Sequence, residues 1–149
     1  MAYYLSDELA ENVVEAYRKY QQYLRQNEEE FPRGAFALGT ADWYHNPRDH
    51  RCPHDGWLEN LVISEVTHTN RRRTTILTRL LAAYHDGYIE LYYPEVHSYK
   101  FEGPSCSGGL GDWLSDEFRL APSGRVIHEI EWAGFPNSEG RGGLSRRPM

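Results

Sequence analysis

The chain is short of sulfur, of positive charge and of long apolar runs, and each shortage removes a class of protein. Only two cysteines, Cys52 and Cys106, occur in 149 residues. That is too few for a four-thiolate zinc site or a disulfide-stapled scaffold. Lys and Arg total 16 against 22 Asp and Glu, a formal charge of −6. This balance disfavours indiscriminate attachment to nucleic acid or anionic membrane and suits a basic partner better. No run approaches the ~18 apolar residues of a membrane span, and the opening Met1–Tyr20 meets acidic residues before any apolar core of a secretory signal forms. A cytoplasmic protein that does not engage membrane is expected. What is present is a folding composition, 40% hydrophobic and 13% aromatic, in a length that suits one domain.

Apolar and aromatic side chains at Leu5, Leu9, Val13, Tyr17, Tyr20 and Leu24 recur at threes and fours, which predicts an amphipathic helix from Ser6 to Glu30. Ser6 serves as its N-cap and Phe31-Pro32 as its stop. From Arg33 to Gly56 the glycines and prolines predict a long loop with one short strand near Phe36–Leu38, pinned by Trp43 and Tyr44. Strands are then expected at Trp57–Val66, Thr74–His85, Tyr88–Tyr93, Val96–Glu102, Trp113–Leu120 and Arg125–Ala133. Asp86-Gly87 matches the dipeptide of a two-residue type I′ hairpin turn. In the last strand Val126, His128, Ile130 and Trp132 share the core side, opposite Ile127, Glu129 and Glu131. The expectation is one α+β domain over 1–134, an N-terminal helix packed on a curved antiparallel sheet of about six strands. A flexible basic tail, 135–149, carries Arg141, Arg146 and Arg147.

Two His-Asp pairs, His54-Asp55 and His85-Asp86, supply the residue types of acid–base or metal chemistry. Asp86 is already explained by its turn. His50, Cys52, His54 and Asp55 are ligand types within one short loop, but no second compact cysteine pair completes a zinc knuckle, so no metal or other cofactor is expected. Gly108-Gly109-Leu110-Gly111-Asp112-Trp113 lacks the lysine of a phosphate loop and reads as a tight connection into a strand. Glu117, Glu129 and Glu131 fall on the outward parity of the two C-terminal strands, and with Trp113 they form the candidate binding face. Asp112 and Asp116 have the opposite parity. His128 alternates with core residues, and a buried imidazole needs a partner, for which Asp116 is the natural choice. No nucleophile with a supporting base is found.

Four segments, His54 to Leu58, Ala83 to Gly87, Gly111 to Leu114 and His128 to Trp132, resemble a bacterial family of uncharacterised proteins that share HDxWL, AYHDG, GDWL and HEIEW motifs. The chain is also similar in character to immunity proteins of bacterial toxin systems. That resemblance implies a small acidic interaction protein, and the net charge and aromatic richness favour a basic protein partner met by Glu117, Glu129, Glu131 and Trp113. The alternative is a metal-dependent hydrolase using His54, Asp55, His85 and Asp86 in a polar cleft. An enzyme ranks second because no coherent catalytic set is present, and no small-molecule substrate follows from the residues.

Overall fold

The computed structural model describes residues 12–103, 109–134 and the backbone of 145–148. Helix α1 (Val13–Gln26) starts after Asn12, whose extended-side backbone (φ −129°) and side chain, accepting from the Glu15 N–H at 3.2 Å, form the N-cap. This corrects the expectation of one continuous helix from Ser6 to Glu30; Leu5, Ser6 and Leu9 lie outside the described residues. Ala16, Tyr20 and Leu24 are the buried stripe, whereas Val13 is 64% exposed and belongs to the helix entry. After Asn27 the chain tightens into a 3-10 turn, Glu28–Glu30.

The predicted loop after Pro32 is instead a second helix, α2 (Arg33–Thr40). Ala35, Phe36, Ala37 and Leu38 are a run without turn-forming residues, and Gly34 and Gly39 had suggested a break. Gly39 is there for close approach: a Cβ at this position would stand 2.9 Å from Leu24 Cδ1. The segment that follows, through Gly56, is a series of turns, anchored as expected by a buried Tyr44.

The strands form two antiparallel sheets. The first holds β1 (Trp57–His68), β2 (Arg71–Leu81) and β3 (Tyr88–Tyr93) in that order. The second holds β4 (Trp113–Leu120), β5 (Val126–Trp132) and the short β6 (Ser145–Pro148). One isolated bridge, Trp57 to Asp112, joins their corner. The single curved sheet of six strands is therefore corrected to two sheets. The expected strand Val96–Glu102 is not formed; at its start the Val96 N–H donates to Thr74 O at 2.9 Å. Of the expected tail, only the backbone of Ser145–Pro148 is described, and it runs antiparallel to β5.

Both hairpins of the first sheet exist, but their turns exchange character. His68 pairs with Arg71, so Thr69 and Asn70 make the tight connection, with φ of 47° and 62°. Two successive positive φ values identify the type I′ geometry. Between β2 and β3 the ladder closes at Ala82 and Gly87, and the His85 N–H donates to Ala82 O at 2.9 Å with His85 at φ 57°. The two-residue turn expected at Asp86-Gly87 is thus a longer loop with His85 as its left-handed residue.

Tyr20, Leu24, Phe31, Tyr44 and Phe118 make one core cluster, and Leu80, Leu91, Trp113, Ile130 and Trp132 the other; Leu38 of α2 packs against both. The outer edge of β4 is closed by α1. The Phe118 N–H donates to the Tyr20 hydroxyl at 2.6 Å, and that hydroxyl donates onward to Phe118 O at 3.1 Å. The Leu120 N–H donates to the Tyr23 hydroxyl at 2.9 Å. Two tyrosines thereby satisfy a sheet edge that would otherwise invite another strand. No described helix is long and apolar enough to cross a membrane.

Candidate functional site: a groove floored by a buried polar network

A groove of about 1420 Å³ runs between β3 and the start of β5, walled by Ile89, Leu91 and Tyr93 on one side and by Leu38, Val126 and His128 on the other. The strand period explains the wall. Ile89, Leu91 and Tyr93 share the inward face of β3, while Tyr88, Glu90 and Tyr92 are exposed on the other face.

The floor is held by one carboxylate. Asp116 Oδ2 accepts from the Tyr44 hydroxyl at 2.8 Å and from His128 Nε2–H at 2.7 Å, and Oδ1 accepts from Trp113 Nε1–H at 3.2 Å. Because the carboxylate is an acceptor, it fixes the imidazole so that Nδ1 faces the Tyr93 hydroxyl, 2.7 Å away, at the groove wall. His128 also stacks on Phe118 with centroids 4.1 Å apart. Burial opposes the charged form of Asp116, yet the His128 hydrogen bond, the charges of His128 and His45 and the Tyr44 hydroxyl hold its pKa below the usual carboxylate value. Burial first, and the Asp116 charge second, push the Tyr44 and Tyr93 hydroxyls upward, so both remain protonated donors. The partner anticipated for His128 is in place.

Around this network His45 meets the rings of Tyr17, Tyr20 and Tyr44 edge-on, and burial lowers its pKa. Cys52 is a buried free thiol that donates from Sγ to Tyr44 O at 3.0 Å; burial pushes its pKa up to about 11. Such a thiol is a structural donor, not a nucleophile. Cys106 lies outside the described residues.

The acidic face is corrected. Glu117 is fully buried, Glu131 is 4% exposed, and Trp113, at 1%, belongs to the core. Arg119 spans Glu117 and Glu129 at 2.6 Å each, and Ser115 donates to Glu131 at 3.2 Å. Asp116 and His128 face the other way, toward Tyr44 and Tyr93. The outward face is covered nonetheless: Glu117 and Glu131 are buried, and Glu129 shares the Arg119 guanidinium with Glu117.

The four residues of the alternative polar site divide among different partners. His54 Nδ1–H donates to Leu114 O at 2.7 Å, which leaves Nε2 3.4 Å from Asp55. Asp86 accepts from His50 instead of meeting His85, and His50 stacks on Tyr84 at 3.9 Å. His85 rests on Trp57. Among the described residues no group of three or more His, Cys, Asp or Glu is placed to hold a metal ion. The Gly109–Asp112 stretch does make the expected tight entry to β4, where a Cβ on Gly111 (φ 72°) would strike Gly134 N at 2.7 Å.

Sequence reasoning missed Tyr44 and Tyr93 as members of the network. Their signal was present only in part: both sit in aromatic segments, but nothing local pairs a loop tyrosine with a strand 72 residues away. Comparison with family models, curated proteins and solved structures returns no match.

Proposed function

We propose that this chain is a protein-binding module whose receiving surface is the groove between β3 and β5. The observation that supports the reading is the groove itself, an open and mostly apolar trough beside a sheet edge, floored by side chains that are already fully hydrogen-bonded. A rigid floor loses little conformational entropy when a partner docks. The carboxylate of Asp116 is committed to three donors, and among the described residues no nucleophile faces it, which favours binding over turnover. The formal charge of −6 steers a basic protein toward the molecule. An immunity-type role in the cytoplasm, in which a toxic basic protein is captured, is the form of this proposal that the sequence suggests.

The test places a photo-crosslinking residue at Val126 in the groove and, as a control, at Arg18 on the exposed side of α1. The expected result is one specific protein crosslinked from Val126 alone. The same protein, purified, should bind the wild type at least ~10-fold more tightly than a variant carrying Tyr88→Ala and Tyr92→Ala, two exposed residues at the rim. Equal crosslinking from both positions, or unchanged affinity of the double variant, would refute the assignment.

A further inference from the structure

Resting on the groove reading, we infer that the partner docks by adding an extended, basic segment as a fourth strand along the free edge of β3. The register of the first sheet decides which atoms await it. The Ala82 N–H donates to Gly87 O at 3.0 Å, so this opposed pair is a hydrogen-bonded one. Along an antiparallel ladder the bonded pairs recur at every second residue, which makes Leu80–Ile89, Thr78–Leu91 and Ile76–Tyr93 the bonded pairs. The backbone N–H and C=O groups of Tyr88, Glu90 and Tyr92 therefore point away from β2, into the groove. Among the described residues no strand or backbone hydrogen bond takes them. The contrast with β4 is direct, because there α1 spends two tyrosine hydroxyls on closing the edge.

The chemistry of the incoming segment follows from the same three residues. Glu90 is exposed; Arg79 stands opposite it in the ladder but turns to Glu59 and the Tyr88 ring, and no ion pair joins Glu90 among the described residues. The outer edge of β1 is the other edge of this sheet, but its acids are occupied, Glu59 by Arg79 at 3.5 Å and Glu65 by Arg72 at 2.9 Å, and the groove lies along β3. A second copy of this chain is disfavoured on β3. The self-paired register that bonds all three outward residues sets Glu90 against Glu90, and like charges opposed across a ladder repel. A Lys or Arg opposite Glu90 answers that charge. Two residues to either side, Tyr92 and the edge of Tyr88, whose ring face carries the Arg79 guanidinium at 3.8 Å, meet aromatic or β-branched side chains. The intervening residues of the added strand enter the trough against Ile89, Leu91 and Val126 and are apolar. The recognised pattern is thus five residues, bulky, apolar, basic, apolar, bulky, laid antiparallel to β3.

The experiment selects a displayed library of random nine-residue peptides against the full chain and measures synthetic versions of the enriched peptides. Expected are peptides with a central Lys or Arg between alternating apolar residues, weakened about tenfold by Glu90→Lys and restored in part when the peptide's basic residue becomes Glu. Glu90→Pro should weaken them at least as much while keeping the thermal midpoint, because it removes an outward N–H and no bond to β2. Binding should slow amide exchange at Tyr88, Glu90 and Tyr92. Peptides that compete with Val126 crosslinking yet ignore Glu90→Lys and Glu90→Pro would overturn strand addition and leave the groove assignment standing. Peptides that protect β1 instead, no enriched peptides, or a dimer formed through β3 would overturn the inference as well.

Discussion

Asp116 is the residue on which the site turns. It is buried, it is ionised, and every hydrogen bond it accepts comes from a side chain that would otherwise be an unsatisfied buried donor. Removing one charged partner from such a set costs more than the set contributes relative to an apolar core. Asp116→Asn is expected to lower stability by about 2–4 kcal/mol near neutral pH, measured by urea unfolding. The pH dependence supplies a second readout. A carboxyl whose folded pKa is depressed below its ordinary unfolded value contributes stability above that value and loses it as pH falls through the folded pKa. The difference between wild type and Asp116→Asn should therefore be constant above this range and shrink below it. A difference that is the same on both sides would show that the carboxylate is not held ionised by its neighbours.

At the scale of elements, the informative discrepancy lies in the two hairpin turns. Asp86-Gly87 has the composition of a type I′ turn, yet that geometry is found at Thr69-Asn70. The length of the flanking strands decides the matter. β1 and β2 pair without a break from Asn60–Arg79 to His68–Arg71, and that ladder leaves two residues for the connection whatever their preferences. Thr69 is β-branched at φ 47°, a conformation such residues disfavour. Thr69→Gly should relieve that strain and raise stability by about 0.5–1 kcal/mol. An unchanged or lower denaturation midpoint would mean that the Thr69 side chain contributes more than its backbone costs. The same competition between local and long-range signals explains α2. Gly39 looks like a helix breaker in sequence, but it permits the contact with Leu24 that seats the helix.

For the molecule as a whole, periodicity made the inward faces legible. The alternation at Val126, His128, Ile130 and Trp132 identified a core side, and from it the His128–Asp116 pair. β3 and β4 have the residues expected of them, since each is bounded by turn-forming residues and filled with aromatic or apolar ones. Three features were not legible because they depend on what covers a surface. Glu117 and Glu131 have outward parity and are nonetheless buried. Val96–Glu102 has strand-like composition but does not continue the β2 ladder past the Val96–Thr74 bond. The groove opens beside the core that the two sheets share at Leu80, Leu91, Trp113, Ile130 and Trp132, and spacing along one chain does not encode that opening.

Both the receiving groove and strand addition require β3 to present an unpaired edge to the groove. Residue-resolved amide hydrogen exchange on the free chain tests this without any partner. Ile89, Leu91 and Tyr93, bonded to β2, should be protected at least ~100-fold more than Tyr88, Glu90 and Tyr92, whose N–H groups face the trough. Uniform protection of all six amides would mean that the edge is already occupied, and it would contradict both the receiving groove and the strand-addition mode drawn from it.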